Sequence, residues 1–486
     1  MLFNSLTYLL FLVLVAVSYW LLPGQSRRWL ILAASLIFYA FWRVEFVFLI
    51  AFSAFVDYYF SLRIYDEKHP RRRKLWLLSS LSINLGLLAY FKYTYFIVDN
   101  IHVLGTALGH DWSFSPGKIV LPLGISFYTF LSISYTLDVY RRLFDPIRNF
   151  GVYLTYVMFW PHMIAGPILR AHELIPQIVR MPHVKLDNVT DGIKKILTGL
   201  FLKVALADQL APWVDEAFAA VPGSLGGLDV WTMAFGFGLQ IYFDFAGYSL
   251  IAIGSALLLG IHFPENFNWP YLATSPRDFW RRWHITLSAW IRDYLYLPLC
   301  GARFRDSSEG GIDVQANERK TGFIRPTLAL ILTWFIMGLW HGAGWKFALW
   351  GVWHAAIIFA YRVSSGWLPS VPERLRLLIG WALSVPAIML GWIPFRASSL
   401  EASLGLLSRV FDFSSYHGLA FRENFYLLVF VITSGMLAAW FVTHAKIPLL
   451  RGEWFSRIGE VVSLSVMIFV VFVFLRPVSQ FIYFQF

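Results

Sequence analysis

Nothing constrains the fold of this chain as much as its apolar runs. A bilayer-spanning helix needs about 20 mostly apolar residues, because in hydrocarbon every backbone N–H and C=O must be satisfied within the segment. Candidate runs lie at 5–22, 29–42, 46–62, 75–91, 119–140, 193–211, 230–261, 326–340, 345–361, 377–392, 425–442 and 461–475. Several are short, and 230–261 is long enough to tilt or bend. The stretch 151–166 is apolar too, but Pro161, His162 and Gly166 interrupt it and Pro167 follows. It reads as a re-entrant or interfacial segment, since broken helices at membrane depth need protein or a cavity to shelter the backbone. Composition agrees, at 58% hydrophobic and 14% charged, against about 45–50% and about 25% in soluble chains. The expectation is an all-α polytopic membrane protein, with about 11–12 transmembrane helices plus re-entrant or interfacial helices. It forms a single membrane domain over 1–486: N-terminal helices at 1–118, a core at 119–361 with a polar loop at 301–321, and C-terminal helices at 362–486.

The net charge of +11 does not point to nucleic acid. Lys and Arg of membrane proteins gather in cytoplasmic loops. Alternating through the spans with the N-terminus outside puts most of the 40 Lys and Arg inside, among them the cluster His69–Lys74 and the region Asn266–Arg325. The expected orientation is therefore N-out and C-out. No cleavable signal peptide is expected, because no basic residue precedes the first apolar run and no small-residue cleavage site follows it. A lone cysteine, Cys300, excludes a disulfide framework and a Cys-based metal site, and the twelve His include no HExxH pair. No metal is expected. The insertion 301–321 is rich in Gly, Ser and charge, and a mobile loop is expected there.

The candidate chemistry lies between Asn266 and His354, in NFNWPYLATSPRDFWRRWHITLSAWIRDYLYLPL and LTWFIMGLWHGAGWKFALWGVWH. If 277–297 is one helix, Arg277, Trp280, Arg281, His284 and Ser288 share a face, and Arg282, Thr286 and Asp293 lie on another. The bland alternative is a surface helix with snorkelling arginines and Trp anchors. His341 sits among Gly338, Gly342 and Gly344 and the ring of Trp334, Trp340, Trp345 and Trp350. A charged side chain at membrane depth costs about 2.5–3.5 kcal/mol on insertion scales, so His341 reads as a functional histidine rather than a hydrogen-bonded core residue. His354 reads as a packing residue. Asp244, inside a spanning run, needs a partner, and an Arg or His of the central stretch is expected. It either orients a histidine, as in hydrolytic triads, or forms a structural ion pair; Asp138 and Lys203 read as structural. A neutral histidine can take a proton from a hydroxyl at neutral pH. No GxSxG elbow is present, so direct acyl transfer with histidine as base is simpler than an acyl-enzyme on a Ser or Cys300.

At these residues the sequence resembles the membrane-bound O-acyltransferase superfamily, in its bacterial alginate-type branch and more distantly the teichoic-acid D-alanylation branch. The motifs are LPLGISFYTF, IAGPILR, QIYFDFAGYS, FPENFNWPY, FWRRWHITLSAWIRDYLYLPL, GLWHGAGWKFALWG and FIYFQF, spread over nearly the whole chain. The resemblance implies a central tunnel, with His341 catalytic and His284 supporting it. Beside what the resemblance implies, Arg281 and Trp283 are candidates to hold the donor or shape the tunnel, and Trp280, Ser288, Asp293, Asp244 and Trp340 are candidate donor-binding or supporting residues. The resemblance also implies a bacterial inner-membrane enzyme with no bound cofactor. Acetyl-CoA or an acyl carrier thioester would be the cytoplasmic donor, and a periplasmic acetyltransferase would be the partner that completes O-acetylation of an exported polysaccharide. The turn CGAR (Cys300–Arg303) departs from the GGNR-like turn usual in alginate-type relatives, which bears on the cytoplasmic partner or donor. Transfer of D-alanine from a carrier protein is the alternative within enzymes. A transporter or flippase lacks the expected internal repeat, and a structural scaffold would tolerate loss of His341.

Overall fold

The computed structural model describes residues 1–112, 114–306, 312–315, 324–365, 371–444, 453–474 and 481–482. The fold is all-α, and each apolar run expected to span meets a helix. In order these are Leu6–Leu21, Gly24–Ala40, Glu45–Asp66, the continuous Pro70–Ala107, Ile125–Arg141, a continuous 186–219, Gly227–Leu257, Ile324–His341, Trp345–Ser364, Glu373–Arg396, Glu423–His444 and Glu453–Phe474. Among the described residues, 5 helices are long and apolar enough to cross a membrane by length and composition alone. The outer surface is apolar, with Leu14, Phe48, Phe430 and Phe472 each more than two-thirds exposed. So extensive a patch needs lipid or a partner to cover it.

The central helix is Gly227–Leu257. It is apolar on every side and buried along almost its whole length, as a helix enclosed by others must be. The 186–219 segment packs against it backbone to backbone. A Cβ on Gly192 would lie 2.9 Å from the Gly254 carbonyl oxygen, and one on Gly199 would lie 2.5 Å from that of Gly247. Only glycine allows this approach, the small-residue packing common between membrane helices. Next to the seam a π-helical turn, Phe201–Ala207, swings the buried Lys203 onto the central helix.

The segment expected to be re-entrant forms two short buried helices, Phe150–Met158 and Trp160–Met163. The polar loop expected at 301–321 contains one short strand pair. Arg303–Asp306 and Ile312–Gln315 pair as antiparallel strands, with Arg303 opposite Gln315, which gives their backbone groups hydrogen-bond partners. The rest of that loop lies outside the described residues. Phe481 and Ile482 are buried against the central helix, where Phe481 stacks on Tyr248 at 4.4 Å.

Candidate active site

The site begins with two antiparallel helices held close by two glycines. A Cβ on Gly338 would lie 2.2 Å from the Phe347 carbonyl oxygen, and one on Gly351 would lie 2.1 Å from that of Trp334. The approach puts His341, the last residue of Ile324–His341, against the partner helix. Its ring lies 4.8 Å from those of Trp340 and Trp350 and 5.2 Å from Phe395. The last carbonyls of an α-helix have no partner within it. Here Lys92 and Tyr93, consecutive on the π turn Ala89–Tyr93, supply them. Lys92 Nζ donates to the Trp340 carbonyl at 2.5 Å and the His341 carbonyl at 3.2 Å, and Tyr93 Oη donates to the Leu339 carbonyl at 2.9 Å. A cation at a helix C-terminus also complements the helix dipole. Lys92, His284 and His354 all lie within electrostatic range of His341.

His284 does not lie on a continuous helix. The helix expected over 277–297 is broken into Pro276–Arg282 and Ile285–Ile291, followed by a π turn Arg292–Tyr296. His284 itself is in the left-handed region, φ 42°. The FPENFNW segment makes the break: the Asn268 N–H donates to the Arg282 carbonyl and the Ile285 N–H to the Asn266 carbonyl, each at 2.9 Å. These bonds replace helical ones. The shared face proposed for Arg277, Trp280, Arg281, His284 and Ser288 is thereby corrected. Arg277, Trp280, Arg281 and Ser288 line one cleft, whereas His284 is buried on the other side of the break among Phe245, Phe127 and Phe267. Phe127 bridges to the other half of the site, since its ring also meets Trp340 at 6.1 Å.

Two cavities meet the Ile324–His341 helix. One, of about 430 Å³, is lined by Arg277, Arg281, Arg292 and Arg362 around an apolar throat that includes Trp280, Ser288, Trp334 and Met337. Met337 is one helical turn from His341. The other, of about 70 Å³, is lined by His341, Trp340, Lys92, Ser126 and the Leu121–Gly124 turn region. On the orientation expected from charge, the first opens on the cytoplasmic side and the second on the opposite side.

The remaining predicted residues are placed as follows. Trp280 closes a box around the buried His354 with Trp334, Trp350 and Trp392. Trp283 is buried against Trp392 and Phe267. The Ser288 hydroxyl donates to the Trp283 carbonyl at 3.2 Å, bridging the helix break. Asp293 is ion-paired with Arg170 and with Arg292, the latter at 2.6 Å. Burial works against its carboxylate, but the two guanidinium groups outweigh burial and hold it below the usual carboxylate range. The partner expected for Asp244 is corrected: among the described residues it meets neither an Arg nor a His of the central stretch, and it forms the structural ion pair of the alternative reading. It pairs with Lys203 Nζ at 2.6 Å and accepts the Ile482 N–H at 2.7 Å, because the glycine seam brings Lys203 to it. Asp244 therefore ties the tail to the central helix and orients no histidine among the described residues. The residues missed from sequence are Lys92, Tyr93 and Asn266. A lysine inside the apolar run AYFKYTYF was the visible signal for the first.

The profile of the membrane-bound O-acyltransferase family matches residues 147–310, a span that includes His284 and ends before His341. A protein of Azotobacter vinelandii named "Probable alginate O-acetylase" is 39% identical over 418 residues, covering 86% of this chain and 79% of that protein. The peptidoglycan O-acetyltransferase of Helicobacter pylori is 33% identical over 84% of this chain and 79% of its own length. The teichoic acid D-alanyltransferase of Bacillus subtilis is 27% identical over 52% of this chain and 62% of its own length.

Proposed function

The chain belongs to the membrane-bound O-acyltransferase family, and on that premise we propose that this multi-pass membrane enzyme O-acetylates an exported or cell-envelope polysaccharide, with His341 as general base. The observation that carries the reading is that His341 lines a small pocket while an arginine-rimmed cleft reaches the same helix at Met337, one turn away. The cleft suits a cytoplasmic donor whose thioester trails phosphates, acetyl-CoA or an acyl carrier; guanidinium groups bind phosphate bidentately, and the apolar throat suits the acyl arm. The smaller pocket suits a hydroxyl reaching in from the other face.

In the proposed step the His341 imidazole takes the acceptor's hydroxyl proton as its oxygen attacks the thioester carbonyl. The tetrahedral adduct collapses, the C–S bond breaks, and the imidazolium returns the proton to the leaving thiolate. The products are an acetyl ester and a free thiol, with the histidine neutral again. General-base help of this kind contributes about 10²–10⁴-fold. His284 supports the reaction as a second base or as a donor to the developing oxyanion, and Arg281 and Trp280 shape the donor side, while Trp283 packs behind His284. The enzyme works in the bacterial inner membrane with a periplasmic acetyltransferase partner.

The test is the O-acetyl ester content of envelope and exported polysaccharides in cells carrying wild type or His341→Ala at matched membrane levels. Loss of esters with a folded variant is the expected result. Wild-type ester content in that variant refutes the assignment. D-alanyl esters in place of acetyl esters would move the reading to the carrier-dependent alternative.

A further inference from the structure

We infer that Asn266 is a positioning residue that fixes which nitrogen of His284 carries the proton, leaving Nε2 as a bare lone pair. The inference rests on the participation of His284 proposed above and deepens it. His284 Nδ1 lies 3.1 Å from Asn266 Oδ1. Either tautomer of histidine can be accommodated in general, and amide oxygen and nitrogen are hard to tell apart. Here the neighbours decide. The backbone N–H of Thr286, which can only donate, points at the same Asn266 atom at 3.4 Å. The Thr286 hydroxyl accepts the Ile168 N–H at 2.9 Å, so its own proton is free for Asn266, 3.0 Å away. Two donors converge on that atom, so it is the oxygen. The third group facing it, Nδ1, must then carry the hydrogen.

A neutral imidazole holds one N–H, so Nε2 is an acceptor. It is buried and has no hydrogen-bond partner among the described residues. Asn266 and His284 are each about 1% exposed, so water does not compete for these bonds. The same asparagine imposes the left-handed backbone at His284 through the bond from Ile285 to its carbonyl. Such a conformation is unfavourable for a residue with a Cβ and persists where the surroundings over-determine it. The consequence for the reaction is specific. In its resting state His284 can receive a proton or a hydrogen bond at Nε2 but cannot donate one there, which selects the second-base role over the oxyanion-donor role.

The experiment uses the full-length protein in lipid nanodiscs with ring-¹⁵N-labelled histidine, the His284 signals being assigned by their loss in His284→Gln. The expected spectrum at neutral pH shows His284 with a protonated Nδ1 and a bare Nε2. Asn266→Ala should scramble or reverse that pattern, and Asn266→Asp, which keeps an oxygen acceptor, should retain it. A protonated Nε2 in wild type overturns the inference, and so does a wild-type pattern in Asn266→Ala. If Asn266→Ala does not accumulate, the wild-type spectrum decides. In parallel, O-acetyl ester content should fall clearly below wild type in Asn266→Ala, with recovery in Asn266→Asp. Full ester content in His284→Gln would refute the participation of His284 while leaving the tautomer result standing, so the two failures are distinguishable.

Discussion

Replacing Lys92 by methionine tests whether the candidate base is held by its helix end. Methionine keeps most of the side chain's length and apolar bulk but leaves the Trp340 and His341 carbonyls without their ammonium donor. Hydrogen bonds between membrane helices average about 0.6 kcal/mol and reach about 1.7. Two bonds from a charged donor to a helix end should together contribute about 1–3 kcal/mol. Part of that is offset because the variant no longer buries a cation, so the loss of global stability should be modest. The loss of activity should be larger. The last turn carries His341, and a misplacement of about 1 Å can cost about 10²-fold in rate. The assay pairs thermal unfolding of the purified protein in detergent with ester content of polysaccharide from cells matched for membrane level. The expected outcome is a melting temperature within a few degrees of wild type and ester content reduced by at least about 10-fold. Tyr93→Phe, which removes only the bond to Leu339, should have the same direction and a smaller effect. A Lys92→Met protein that acetylates like wild type refutes the clamp.

Other substitutions follow from the same geometry. Gly338→Ala drives a methyl to 2.2 Å from the Phe347 carbonyl oxygen and should force the two site helices apart, abolishing activity, while Gly86→Ala, with nothing within 4 Å, should be silent; equal behaviour of the two would sink the close-packing argument. Lys203→Met strands the buried Asp244 and should destabilise by about 3–5 kcal/mol, and adding Asp244→Leu should recover much of it; detergent melting curves that show no recovery would refute the ion-pair reading. Arg277→Gln with Arg281→Gln should raise the apparent KM for donor more than it lowers kcat, and should flatten the salt dependence of KM in membrane vesicles given acetyl-CoA or acetylated carrier protein. An unchanged KM with both donors would remove the cleft as the donor's docking site.

The helical runs were legible because spanning a bilayer is a local property of composition, readable one segment at a time. The site was legible only in part. His341 stood out because a titratable ring in an apolar, glycine-flanked run is locally anomalous. The break at His284 was not legible, because the residues that impose it, Asn266 and Asn268, act across the chain through backbone bonds that leave no periodic trace. Helical spacing alone therefore placed His284 on the wrong face. The partner of Asp244 was missed for a related reason. Lys203 reaches it through the glycine seam, and Gly192 with Gly199 and Gly247 with Gly254 share a seven-residue spacing whose meaning emerges only when the two helices are laid together.

The Lys92 clamp also has a bearing on how the protein is made. Its carbonyl acceptors lie 248 and 249 residues later in the chain. At about 5–20 residues per second, the ribosome delivers them about 10–50 s after Lys92 itself. Throughout that interval the Lys92 ammonium lacks these two acceptors, and a lysine on an apolar segment can extend its side chain toward an interface. The contact that ties the 70–107 segment to the end of the Ile324–His341 helix is therefore one of the late contacts to become available during synthesis.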